Sequence, residues 1–293
     1  MTSRLEVKLD HLPVLPAVVV RLMGLSPGSD SYFEEVLSVS SEDPGLAVRV
    51  IHAANSALSA PRQPIETLQG AVARLGAAHI GNLVTAMAVT QAFVPKTHEE
   101  VDLWIHAVEV AAACRLMVAN APFGVDQHHA YLCGLLHDIG RFVMFDAAPE
   151  LLHVVDAGGW VTPNELIASE RRIFGYDHTD IGQQLCGRWN IPRRIATIIH
   201  DHHRHLELKP PVSPDERLAA IIEMADRLSV LARTGALEEV AADREALVAV
   251  ISESCVDPEW AAPPISPAIL AGLVPPILQA ARNAVEHLSL DLA

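Results

Sequence analysis

Ala130-Tyr131-Leu132-Cys133-Gly134-Leu135-Leu136-His137-Asp138-Ile139-Gly140-Arg141 is the stretch on which the reading of this chain turns. An apolar run ends in an imidazole and a carboxylate, and a glycine follows two places later. The pair has an ordinary reading as a helix C-terminus, where a cation beside the last carbonyls is favoured. It also has a chemical one. A charged carboxylate beside a core costs several kcal/mol unless it is paired or holds a cation. The rest of the chain decides between the two.

Working outward, apolar residues recur at helical spacing almost throughout, and strand-like alternation is scarce. Aromatic residues make up only 4% of the chain and alanine is abundant, which suits close-packed helices. Helices are expected over about 101–119, 127–137, 163–174, 178–189, 192–203, 214–233 and 276–290. The block from Leu12 to Phe93 reads as several shorter helices. In one, Ser41 or Asp43 is the cap and Pro44 stands in the first turn. A loop from Ser59 to Pro64 follows, then a helix from near Thr67 that stops at Gly76, then one from Ala78 to Phe93. Gly158-Gly159 and the stretch Pro258–Pro276 are the clearest breaks. The fold class is all-α, divided into 1–98, 99–235 and a C-terminal helical extension over 236–293.

Composition narrows the function. The chain has 293 residues, half of them apolar, so it can bury a full core and is not a disordered protein. With 21 Lys+Arg against 36 Asp+Glu the net charge is −15, and the only lysines are Lys8, Lys96 and Lys209. That is no footprint for a nucleic-acid duplex. Cys114, Cys133, Cys186 and Cys255 are far apart and form no CxxC pair, so they read as buried thiols in a reducing cytoplasm. Arg4 and Lys8 are followed by Asp10, Pro13 and Pro16, which spoil a signal-peptide core. No run of about 18 uncharged apolar residues is present to span a membrane. A soluble cytoplasmic protein is expected.

The histidines carry the chemistry. There are 15, and ten fall between His106 and His205. His106 sits among Ile105, Val110 and Ala111–Ala113. His178 opens a helix, and His202-His203 close another. Asp226 stands one and two turns from Ile222 and Ala219. Each has an ordinary alternative: a satisfied core histidine, a solvated helix end, or an Asp226–Arg227 pair. Several such placements in one chain point instead to a shared partner. Neutral imidazole with carboxylate suits Fe, Mn, Co, Ni or Zn, and a carboxylate can bridge two ions that activate water and hold a phosphoryl group.

In this order the residues resemble the HD superfamily of metal-dependent phosphohydrolases: His106, then His137-Asp138 within Leu136–Arg141, then Asp226. Other stretches are similar to its HDOD branch, the HD-related output domain of bacterial signalling proteins. They are Leu12-Pro13-Val14-Leu15-Pro16, Asp43-Pro44-Gly45-Leu46, Ala54-Asn55-Ser56, Ala73-Arg74-Leu75-Gly76, His178-Thr179-Asp180-Ile181-Gly182 and Trp189-Asn190-Ile191-Pro192. The resemblance implies an HD-like helical bundle with an additional N-terminal helical lobe. It also implies a centre of one or two divalent transition ions (Fe, Mn, Ni or Zn). His106, His137, Asp138 and Asp226 would hold one ion, and His178, His202 and His203 a second, with Asp138 bridging. Asp102, one turn before His106, resembles the extra carboxylate that some HD-GYP phosphodiesterases use for a further ion. Arg141 stands where HD hydrolases often carry lysine and could meet a phosphate. Asp138 and Arg141 are thus the candidate catalytic residues. HDOD domains generally have degenerate ligand sets and act by protein interaction; this chain keeps the full set. The glycine-tyrosine-proline signature is missing after His203, where the chain runs Arg204-His205-Leu206-Glu207-Leu208-Lys209.

Three further stretches read as structure. Asp43-Pro44 starts a helix, Asn55-Ser56 ties a helix end to the next loop, and Trp189 with Ile191-Pro192 makes a corner over a buried indole. The expected role is a bacterial regulatory protein that binds metal and acts mainly through signalling partners, with a nucleotide or phosphate as a candidate ligand. The alternative is an active phosphohydrolase or phosphodiesterase on a nucleotide or cyclic nucleotide.

Overall fold

The central element is a 22-residue helix, His98–Ala119, against which three others pack: Gln127–Leu136, Pro214–Arg233 and Pro267–Leu288. The structure is a computed structural model and describes residues 15, 17–25, 29–42, 44–55, 63–120, 124–160, 162–204, 212–258 and 260–288. Among these every regular element is an α-helix, with no strand. Thr97 starts the central helix with a reciprocal capping box, its hydroxyl on the Glu100 amide and the Glu100 carboxylate on the Thr97 amide. One continuous apolar core runs from Leu15 to Ile277.

In chain order the helices are α1 (Ala17–Gly24), α2 (Asp30–Glu42), α3 (Pro44–Ala54), α4 (Leu68–Leu75), α5 (Ala77–Ala92), α6 (His98–Ala119), α7 (Gln127–Leu136) and α8 (Ile139–Ala147). They continue as α9 (Pro149–Asp156), α10 (Pro163–Phe174), α11 (His178–Arg188), α12 (Arg193–Asp201), α13 (Pro214–Arg233), α14 (Ala236–Val240), α15 (Arg244–Cys255) and α16 (Pro267–Leu288). α1 to α5 pack on one another, and α5 meets α7. An aromatic cluster joins α5 to the helices beyond it. Trp104 donates its indole N–H to the Phe93 carbonyl at 3.0 Å, and its ring stands 4.5 Å from that of Phe142. Phe93 in turn lies 5.9 Å from the buried Trp189.

The helices from 101 to 233 lie where spacing puts them, within a few residues. Two were not anticipated there: α8 and α9, in the stretch after His137-Asp138. α8 is apolar except at Arg141 and Asp146, too few polar positions to mark a period. The reading of Pro258–Pro276 as a break is corrected, because α16 begins at Pro267 and carries Pro275 and Pro276 inside it. Its buried residues Leu270, Ala271, Val274, Ile277 and Ala281 keep helical spacing across the prolines. Their packing on α6 outweighs the lost backbone bonds. Asn55 behaves as expected, since its amide donates to the Ile51 and Ile65 carbonyls and its oxygen accepts from the Ile65 amide. Asp43, Ser56, most of the loop Ser59–Pro64 and Leu12–Val14 and Pro16 lie outside the described residues.

Candidate metal centre

Helix ends deliver most of the polar cluster. His137 is the C-cap of α7, and Asp138 occupies the N-cap position of α8 without making a cap hydrogen bond, so its carboxylate is free to face inward. His178 is the first residue of α11, with Asp177 before it capping the Asp180 amide. His202 is the C-cap of α12, and His203 follows it. His106 and Asp226 come from the bodies of α6 and α13.

Two glycines permit this convergence. A Cβ on Gly140 would fall 1.9 Å from the His178 carbonyl oxygen and 2.8 Å from the Gly182 nitrogen. α8 and α11 therefore cross backbone to backbone, and that crossing sets His178 opposite Asp138.

The side chains form two adjoining groups, Asp138 with His178, His202 and His203, and His106 with His137 and Asp226. Within each group, donor atoms lie within 4.8 Å of one another. Asp138 faces both. Its Oδ1 is 3.3 Å from His178 Nε2, while its Oδ2 is 3.6 Å from His137 Nε2 and 3.7 Å from His106 Nε2. Asp226 Oδ1 is 3.2 Å from His106 Nε2, and its Oδ2 is 3.7 Å from His203 Nε2. Asp226 does not pair with Arg227, which binds Glu223 at 2.6 Å and Asp257 at 2.9 Å.

An outer ring fixes how the imidazoles turn. His137 Nδ1 lies 2.8 Å from the Gly134 carbonyl, and His202 Nδ1 2.6 Å from the Ile199 carbonyl. His178 Nδ1 lies 2.6 Å from Glu170 Oε2, which also accepts the His178 amide at 2.9 Å. His106 Nδ1 meets Ser229 Oγ at 2.9 Å, and that hydroxyl donates to Glu109 at 2.6 Å. An imidazole that gives its Nδ1–H outward presents a bare Nε2 inward, as metal-binding histidines do. The fit to a metal is plain. The buried Nε2 atoms of His137, His178 and His202, and Nδ1 of His203, have no hydrogen-bond partner among the described residues. Buried polar atoms rarely go unsatisfied.

Electrostatics agree. Burial pushes the His137 and His202 rings below the usual histidine range and His203 down to about 4, keeping them neutral and able to bind a cation. At His178 burial works the same way, but Glu170 and Asp138 outweigh it and raise the group to about 9. Those carboxylates make the position favourable for positive charge. Burial would raise Asp138, yet the imidazoles of His137 and His178, the Arg141 guanidinium and His106 hold it well below the ordinary carboxylate range.

A cavity of about 770 Å³ opens on the cluster and touches His106, Asp138, His203 and Asp226, while His137, His178 and His202 stand behind them. Two expected residues sit differently. Asp102 borders the cavity but is exposed and joins neither group. Arg141 is on the cavity wall, but its guanidinium is engaged by Glu170 at 3.1 Å and Asp156 at 2.6 Å. Glu170, Ser229 and Glu109 were missed by sequence reading. The signal for Glu170 was present, because Leu166, Glu170 and Phe174 share one helical face and all three are buried.

Residues 12–205 match the family model for the HDOD domain. The chain belongs to the HDOD family. Asp226 lies beyond the matched stretch. An HDOD domain protein of unknown function from Geobacter sulfurreducens has the same fold, with a TM-score of 0.71, 23% identity, and 100% of this chain and 99% of that one covered. A Shewanella amazonensis structure provisionally assigned as a phosphohydrolase gives 0.70 at 25% identity over 97% and 98%. Ribonuclease Y of Sulfurovum sp. is 33% identical over 46% of this chain. An uncharacterized protein of Treponema pallidum is 26% identical over 70%. The HDOD chain spans 41% of the Treponema relative's length and 19% of the ribonuclease's.

Proposed function

We propose that this HDOD protein is a regulatory protein built round a divalent transition-metal centre and acting through protein partners in the bacterial cytoplasm. The observation that carries the metal is the set of four buried, unpartnered imidazole nitrogens gathered about one carboxylate. His106, His137 and Asp226 would hold one ion and His178, His202 and His203 another, with Asp138 shared. Imidazole and carboxylate donors without thiolate suit Fe, Mn, Ni or Zn. Bound there, the ions would supply Lewis acidity and an acidified water. The regulatory half rests on family membership, and the cytoplasmic setting on four buried free cysteines.

Elemental analysis of protein purified without chelator tests the centre. Near-stoichiometric metal is expected, and a clean apo protein that refuses Fe, Mn, Ni and Zn overturns the reading.

A second reading, phosphoester hydrolysis, is favoured by the cavity that opens on Asp138. The names of the ribonuclease and Shewanella relatives point the same way. Here Asp138 would be catalytic through the ions, and Arg141, tied to two carboxylates, would shape the wall. Cyclic di-GMP is not the expected substrate, since the segment after the paired histidines lacks the glycine-tyrosine-proline signature of the enzymes acting on it. Metal-replete protein turning it over at roughly 1 per second or faster, with activity lost in Asp138→Ala, would displace the regulatory reading.

A further inference from the structure

We infer that the cavity beside the metal centre takes an amphipathic organic anion: one phosphate or carboxylate head at the ions and an apolar body along the wall, not a polyphosphate or a dinucleotide. The inference rests on the proposed metal reading and names the ligand class of that same site.

Charge decides the head. Three arginines line the cavity, and each already has a carboxylate. Arg141 is held by Glu170 and Asp156, and Arg227 by Glu223 and Asp257. Arg233 reaches Glu109 at 3.4 Å and the Asp102 carbonyl at 3.0 Å. No lysine lines it, and His153 sets its ring edge-on to Phe145. Glu99, Asp102 and Glu253, all exposed, add negative charge to the same wall. A second or third phosphate would therefore meet carboxylates rather than a free guanidinium, which is the group that such recognition uses. On the proposed metal reading, the ions would be the positive charge available to a ligand, beside His106, Asp138, His203 and Asp226 on the cavity lining.

The wall decides the body. Leu103, Phe145, Leu152, Trp160, Leu166 and Val230 line the cavity. Its volume of about 770 Å³ falls in the range of sites that enclose a small organic ligand.

The test is calorimetric titration of the full, metal-loaded chain with n-octyl phosphate, inorganic phosphate and ATP. Octyl phosphate is expected to bind at least tenfold more tightly than either of the others. Val230 is 42% exposed, so the uncharged Val230→Asn should leave the fold and metal content unchanged. It should weaken octyl phosphate at least fivefold and leave inorganic phosphate unaffected. Metal and inorganic phosphate bound normally, with octyl phosphate no tighter or ATP tighter, overturns this inference alone. A chain that takes no metal overturns it together with the metal reading.

Discussion

Glu170 accepts the His178 amide and Nδ1 on one oxygen and Arg141 on the other, with no exposure of its own. Glu170→Gln keeps the shape and removes the charge that orients the imidazole. It should cost about 10–100-fold in metal affinity, read by chelator competition. Glu170→Ala should also destabilise the chain by about 3–5 kcal/mol, because it leaves a buried guanidinium short of a partner. Equal metal affinity in parent and Gln variant would show that Glu170 only fills space. Glu223 offers a pH test. Burial raises it from 4.5 to about 7 despite Arg227. Its proton is held more tightly in the folded chain, so its contribution to stability is complete below about pH 4.5 and lost as pH rises through 7. Glu223→Gln should therefore gain on the parent by up to about 3 kcal/mol between pH 5 and 8 in paired denaturation series. A difference that stays flat with pH refutes this. The histidines and Asp138 were legible because polar groups on apolar stripes are conspicuous. Glu170 was not, since Ser169-Glu170-Arg171-Arg172 reads locally as a solvated face and only the register with Leu166 and Phe174 betrays its burial.

At the scale of elements, the crossing of α8 over α11 is the contact with least tolerance. Gly140→Ala would drive a methyl group into the His178 carbonyl, which is backbone and cannot swing away. A loss of about 3 kcal/mol or more is expected, at or beyond the upper end of ordinary overpacking. Gly187→Ala on the same α11 has open space, and it should gain about 0.5–1 kcal/mol from reduced chain entropy. Thermal unfolding of the two variants side by side checks this, and similar melting temperatures would mean that the helices are free to separate. Amphipathic helices such as α10 and α13 could be read from their apolar spacing, and the structure adds capping boxes at Thr162 and Ser213. α8 could not, because it is buried everywhere except at Asp146 and so shows too little polar face to set its period. α16 was cut short because proline is a strong local signal, whereas its burial against α6 is a tertiary fact that no local pattern carries.

For the whole molecule, the proposed ligands come from helices spread across the chain, so a metal would bind the folded state in preference to the unfolded one. Loading at about 100 times the dissociation constant should add about 2.7 kcal/mol, or roughly 5–10 °C in melting temperature, and chelation should reverse it. A His137→Ala, Asp138→Ala double variant should lose most of that shift. Melting curves indifferent to metal and to this variant would reduce the cluster to a polar pocket. The order of motifs made the family legible, but it did not show that α15 and the turn after it would wall the cavity with Glu253, Ser254 and Val256. The separation of the donors also has a consequence in time. His106 and Asp226 lie 120 residues apart. At a synthesis rate of about 5–20 residues per second, the last donor leaves the ribosome roughly 6–24 seconds after the first. Over that interval the early histidines can meet ions only as loose, partial chelators. On the proposed metal reading, the choice of metal would be made late, by a finished cage, and the ion kept would be the one that fits its shape rather than the one that arrived first.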